Sequence, residues 1–160
     1  MRDPKFFRVS FVCTGNICRS PMGEVVFRSL TERAGLGDRL LVTSRGTHDF
    51  HIGKPADSRT LISLQEAGYD GDAHRAAQLA ADDIAGNELL IAMARDHESA
   101  MLQLGAERDR VVLMTAFDPS LPDDPDVFDP YYSDQQSFDD VLRQVERSSA
   151  RLLEHLSPRL

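Results

Sequence analysis

The sequence predicts an α/β domain: an open, four-stranded parallel sheet with helices on both faces. Three observations carry this expectation. Short apolar and β-branched runs alternate with amphipathic helical segments, the order that right-handed crossovers turn into a parallel sheet covered on both sides. The 160 residues make a single domain, and a chain of this size buries roughly 70% of its unfolded surface. With 41% apolar and 28% charged residues the chain is neither disordered nor fibrous, and no apolar run approaches the roughly 20 residues that span a bilayer.

The elements follow in order. Phe6 to Cys13 is rich in aromatic and β-branched residues and runs into a Gly-containing turn, so it reads as a first strand buried on both faces. Ser20 offers an N-cap hydroxyl and Pro21 suits a first helical position, with Met22, Val25, Val26 and Leu30 at helical spacing and an end near Ala34 and Gly35. Leu40 to Ser44 is the second strand, and Asp57 caps a helix carrying Leu61, Ile62, Leu64 and Ala67 that Gly68 closes. Glu88 to Met93 is the third strand, Asp96 to Leu104 a helix, and Val111 to Met114 a short fourth strand. Phe138, Val141, Leu142, Val145, Leu152, Leu153 and Leu156 form the apolar stripe of a last helix. Between Met114 and Phe138 lie 23 residues with four prolines and no periodicity; connections that long are usually functional.

Charge and cysteine usage narrow the partners. Lys and Arg number 18 against 26 Asp and Glu, a formal net charge of -8, which disfavours binding to a phosphate backbone, so nucleic acid is not an expected partner. The two cysteines, Cys13 and Cys18, are too few and too close for a disulfide framework or a four-ligand zinc site. They fit a reducing cytoplasm, and no metal or cofactor is expected. An acid and a proline interrupt Met1 to Arg8 where a signal peptide would begin its apolar stretch, so no export signal is read there.

The chemistry concentrates in Cys13-Thr14-Gly15-Asn16-Ile17-Cys18-Arg19-Ser20-Pro21, between a strand and a helix N-terminus. Such a loop turns successive backbone N–H groups inward, the helix dipole adds partial positive charge, and Arg19 supplies a planar fork; together they can enclose a tetrahedral oxyanion. Gly15 and Asn16 tolerate the left-handed backbone a cradle needs. The same field stabilises a thiolate at Cys13, a nucleophile at neutral pH. An ATP-type phosphate loop is excluded because no G-x4-G-K-[ST] occurs, and a thioredoxin-type motif is disfavoured because four residues, not two, separate the cysteines. Cleaving a phosphate ester also needs a proton donor opposite the nucleophile. The long loop offers three Asp-Pro pairs, Asp118-Pro119, Asp124-Pro125 and Asp129-Pro130, among eight aspartates from Asp118 to Asp140. Asp129 stands apart because Phe128, Tyr131 and Tyr132 can partly desolvate its carboxyl, while most of the others are expected as solvated charges.

Cys13 to Pro21 resembles the phosphate-binding loop C-x-G-N-x-C-R-S-P of the low-molecular-weight protein tyrosine phosphatases, a nine-residue match with the flavour of actinobacterial members in Thr14. The similarity extends to Thr43-Ser44-Arg45-Gly46-Thr47, Pro55-Ala56-Asp57-Ser58-Arg59, His74-Arg75-Ala76 and Asp129-Pro130-Tyr131-Tyr132, in order along most of the chain. The resemblance implies a phosphocysteine at Cys13, phosphoryl oxygens held by Arg19 and the loop from Thr14 to Ser20, and Asp129 as acid and then base. It further implies Asn16, Ser20, Ser44 and His74 as supports of the loop, Phe50, Tyr131 and Tyr132 as a wall for an aryl ring, and tyrosine-phosphorylated proteins as partners; the sequence does not fix the oligomeric state, and a monomer is the expectation. Departures are Gly23 and Arg45, where the family more often has Ala; Gly23 is expected to cost the helix roughly 0.5 to 1 kcal/mol relative to Ala.

Two rivals share the loop. An arsenate reductase on this fold would need a later cysteine pair, and none follows Cys18. A non-catalytic phosphopeptide-binding module would need neither Cys13 nor Asp129. Cys18 is also expected to trap an oxidised Cys13 as a disulfide.

Overall fold

The computed structural model describes residues 6–160; Met1 to Lys5, most of the stretch read for an export signal, lie outside the described residues. The strands are β1 (Phe7–Cys13), β2 (Leu40–Gly46), β3 (Leu89–Ala92) and β4 (Val111–Leu113), and the helices α1 (Arg19–Arg33), α2 (Ser58–Glu66), α3 (Ala81–Gly86), α4 (Arg95–Gln103) and α5 (Gln135–Leu156). The four strands form one sheet in the order β2-β1-β3-β4, every pair parallel, as the alternating pattern requires.

β1 lies inside this sheet and is flanked by the strands that follow it on either side, so the strand order reverses there. In open parallel sheets ligands bind at the carboxyl ends of the strands beside such a reversal. The loop after Cys13 occupies that place. Successive β1 side chains alternate between two apolar layers. Val9, Phe11 and Cys13 join Met22, Val26, Phe27, Val141 and Val145 of α1 and α5 on one face, while Val12 joins Leu90, Ile84 and Met101 on the other.

Several boundaries depart from the sequence expectation. Ser20 is not the N-cap: α1 starts at Arg19 with Cys18 in the cap position and no side-chain cap, which makes Pro21 its third residue. The loop feeds straight into the helix, and the Ser20 hydroxyl is spent on Cys13 and Asn16 instead. α5 begins at Gln135, three residues before its apolar stripe, because Asp134 caps it by accepting from Ser137 N at 3.0 Å. α3 was not expected; six residues carry too little periodicity to announce a helix. Asp57 caps α2 as expected, accepting from Arg59 N at 2.9 Å.

Gly23 also departs from expectation. A Cβ there would lie 2.6 Å from Phe11 Cδ1 and 2.8 Å from Met93 Cε, so the glycine is what lets α1 sit down on the sheet beneath the loop. Its helix-propensity cost is offset by a packing distance that alanine cannot reach.

The long segment before α5 is irregular yet pinned. Asp118 is not a solvated charge: it is 2% exposed and accepts from Arg147 Nε at 2.8 Å, Arg147 Nη2 at 3.1 Å and Gln144 Nε2 at 3.0 Å. Thr115 Oγ1 donates to Pro125 O at 2.6 Å, and Val127 N to Met93 O at 2.8 Å. Among the described residues no helix is long and apolar enough to cross a membrane.

Candidate active site

Cys13 ends β1 and its Sγ lies 2.9 Å from Ser20 Oγ in the first turn of α1. Asn16 explains why. It has φ +59°, a left-handed turn that asparagine tolerates, and its side chain ties three segments together. Nδ2 donates to Ser20 Oγ at 2.7 Å and Ser44 Oγ at 3.0 Å, while Oδ1 accepts from Ala77 N at 2.9 Å. Because Asn16 donates to Ser20 Oγ, the one Ser20 hydroxyl proton is left for the Cys13 sulfur at 2.9 Å or for Arg45 O at 3.4 Å. Gly15 does not share the left-handed conformation expected for it. Its lack of a Cβ matters for space, since one would stand 3.0 Å from His51 Cδ2.

Behind the loop, His74 Nε2 donates to Asn16 O at 2.7 Å, and Ser44 Oγ donates to Glu24 Oε1 at 2.6 Å. His74 and Ser44 are therefore supports that brace the loop from outside the cleft. Glu24 was missed by sequence reasoning: its link to Ser44 joins α1 to β2 across twenty positions, with no local signal.

Arg19 is 6% exposed. Its Nη1 donates to Val127 O at 3.0 Å and its Nη2 stands 3.5 Å from Asp129 Oδ2, so one guanidinium links the loop to the long segment that bears the carboxylate. Asp129 Oδ1 accepts from Tyr131 N at 3.1 Å, and its side chain is half exposed at the rim. The desolvation expected from its aromatic neighbours is thus partial, because Phe128 and Tyr132 themselves face solvent.

These groups line one cleft of about 340 Å³, formed by Cys13 to Gly15, Ile17 to Arg19, Phe50, His51, Asp129, Tyr131 and Tyr132. Phe50 is 63% exposed, which makes it a wall and not core; it stacks on His48 with ring centroids 4.9 Å apart. Tyr131 lies 6.3 Å from the His51 ring and 4.8 Å edge-on from Tyr132. The sequence reading gave neither His51 nor Arg59 a role of its own in the site. Arg59 grips Asp57 through Nε and Nη2 at 3.0 and 2.9 Å, donates to Ser133 O at 3.1 Å, and lies over the Tyr131 and Phe138 rings. It thereby fixes the aromatic wall to the start of α2.

Burial, with the charges of Asp57 and Cys13, pushes the Cys18 thiol up to about 12. The two cysteines thus differ: Cys18 keeps its proton at neutral pH, while Cys13 Sγ shares a hydrogen bond with Ser20 Oγ. Among the described residues no group of three or more His, Cys, Asp or Glu is placed to hold a metal ion.

A cysteine at the carboxyl end of a central strand, a loop closed by a buried arginine, and a carboxyl on the same cleft suit transfer of a phosphoryl group. The family profile described as low molecular weight phosphotyrosine protein phosphatase matches residues 8–159. The chain belongs to that family. Among low molecular weight phosphatases, the low molecular weight protein-tyrosine phosphatase A of Mycobacterium tuberculosis is 44% identical over 161 aligned positions, covering 100% of this chain and 96% of that protein. A protein tyrosine phosphatase from Entamoeba histolytica, solved with Hepes in its active site, superposes with a TM-score of 0.90 at 28% identity, covering 95% and 97% of the two chains. The YwlE arginine phosphatase of Bacillus subtilis, solved as a cysteine-to-serine mutant with a phosphorylated active-site serine, superposes at 0.83 with 28% identity over 94% and 95%.

Proposed function

We propose that this chain hydrolyses phosphotyrosine in proteins through a phosphocysteine at Cys13. The observation that carries the reading is the convergence of Cys13, Arg19 and Asp129 on one cleft, with the Ser20 hydroxyl on the sulfur. The Cys13 thiolate attacks phosphorus from the floor of the cradle while the loop N–H groups and Arg19 hold the three non-bridging oxygens. Asp129, facing the opening, protonates the departing phenolic oxygen. Water then attacks the phosphocysteine, Asp129 accepts its proton, and the Ser20 hydroxyl stabilises the thiolate as it leaves. The phosphorylated serine that replaces cysteine in the YwlE mutant is consistent with a covalent step at this position.

Phe50 and Tyr131, with Ile17 at the cradle's edge, make an apolar slot for an aryl ring. This favours phosphotyrosine over phosphoserine, whose shorter side chain cannot bring both phosphate and peptide into contact. It also favours phosphotyrosine over phosphoarginine, the substrate class that the name YwlE arginine phosphatase implies. Tyrosine-phosphorylated proteins are the partners, met in the cytoplasm, where two free thiols persist.

Turnover of p-nitrophenyl phosphate and of matched phosphotyrosine, phosphoserine and phosphoarginine peptides tests the reading. Cys13→Ser should fall below about a thousandth of wild type while still binding vanadate, and Asp129→Ala should lose about 100-fold to 10,000-fold in kcat. Residual Cys13→Ser activity above that level, or a phosphoarginine kcat/KM equal to that for phosphotyrosine, would overturn it.

A further inference from the structure

Two residues separate the end of β3 from the start of α4, and β3 is the parallel neighbour of β1, so the first turn of α4 stands beside the loop that follows Cys13. His97, the third residue of α4, is 1% exposed. Its Nε2 lies 2.9 Å from Thr14 Oγ1, and its Nδ1 has no hydrogen-bond partner among the described residues. The nearest carboxylate oxygen, Asp96 Oδ1 at 3.6 Å from Nε2, belongs to a side chain 77% exposed. Nothing in the cradle, the acid or the aromatic wall accounts for a buried imidazole that uses half its bonding capacity, and such groups call for an explanation.

Burial first, and the Arg19 charge second, hold the ring down to about 4, and the positive end of α4 acts in the same direction. A neutral ring carries one proton. An orphaned buried N–H is rarer than an orphaned acceptor, which puts that proton on Nε2, pointing at Thr14 Oγ1. Thr14 Oγ1 then accepts, and its own proton is left to donate. Its backbone is fixed as well, since Thr14 O accepts from His48 N at 3.0 Å. Thr14 lines the cleft next to Cys13.

We propose that His97 is a positioning residue of this site: its Nε2–H holds Thr14 Oγ1, and the Thr14 hydroxyl so held donates its proton to an oxygen of the transferred phosphoryl group. The inference rests on the phosphatase reading and adds to it one neutral donor beyond the backbone and Arg19. No bond is made or broken by His97; it keeps its proton throughout, and what it supplies is the direction of the Thr14 O–H.

A double-mutant cycle on the full chain tests this, with kcat and KM for p-nitrophenyl phosphate as the readout. Thr14→Val, which keeps the shape of the side chain, should lower kcat about 10-fold to 100-fold, in the range of losing one preorganised donor or somewhat below it. Thr14→Ser should recover most of that loss. His97→Leu should lower kcat to a similar degree, and His97→Gln, which can present an amide N–H to Thr14, should recover part of it. Combined with Thr14→Val, His97→Leu should cost no more than about a further twofold, because both changes remove one chain of contacts. Equal kcat for wild type and His97→Leu, or losses that multiply in the double variant, would overturn the proposal. A folded wild type without phosphatase turnover would instead count against the phosphatase reading itself. Where His97→Leu fails to fold, the proposal stands or falls on His97→Gln with and without Thr14→Val.

Discussion

Cys18 carries its thiol proton far above neutral pH because its surroundings are apolar and two nearby acidic groups, Asp57 and Cys13, oppose a further negative charge. It is therefore a poor nucleophile of its own. Peroxide should convert Cys13 to a sulfenic acid, and the Cys18 thiol can condense with it, releasing water and forming a disulfide. We expect dithiothreitol to restore most activity to peroxide-treated wild type and little to Cys18→Ser, with the oxidised wild type about 2 Da lighter than the reduced chain. The share rescued should grow as pH rises, since only the thiolate of Cys18 attacks readily. Equal recovery in both proteins would remove Cys18 from this role.

Helix α1 shows how packing overrides local preference. A glycine in the middle of a helix reads as a weakness, yet Phe11 and Met93 leave no room for a methyl group at position 23. Gly23→Ala should therefore destabilise the fold, by about 1 to 3 kcal/mol as overpacked cores do, where helix propensity alone would have it stabilise; chemical denaturation monitored by circular dichroism gives the sign. The neighbours that decide the matter come from β1 and from the residue after β3, which no window around Gly23 contains. The cradle was legible for the opposite reason: Cys13, Asn16, Arg19 and Ser20 are contiguous, and a strand, a turn and a helix start around them follow from local pattern. Glu24 and His97 were not legible, because Ser44 and Thr14 reach them only once the sheet has brought distant segments together. Ser20 was misread because Ser-Pro is a general helix-start signal, and here the hydroxyl has a tertiary use.

The whole molecule depends on the segment between β4 and α5 being held against the body, and Asp118 is its anchor. Burial alone would raise this carboxyl, but hydrogen bonds from Arg147, Ser120 and Gln144 outweigh that effect and hold it well below the usual carboxylate range. A carboxyl depressed in the folded state stabilises the protein at pH values above its ordinary value of about 3.9, and the contribution fades as pH falls below that toward the folded value. Asp118→Asn should thus melt at a lower temperature than wild type at pH 7, and the gap in Tm should narrow steadily on acidification through pH 4 and pH 3; a gap independent of pH would show that the anchor does not act through its charge. Asp118 supports the site from outside the cleft; the sequence set Asp129 apart by its aromatic neighbours but could not show that Asp118 is buried, because its partners Gln144 and Arg147 come from α5. The same segment is also fastened by Thr115 to Pro125, by Val127 to Met93 and Arg19, and by Arg59 to Ser133. The carboxyl of Asp129 is thus carried on a stretch tied down on both sides of it, at Val127 and at Ser133, so its distance from Arg19 is set by the body of the fold and not by the stretch itself.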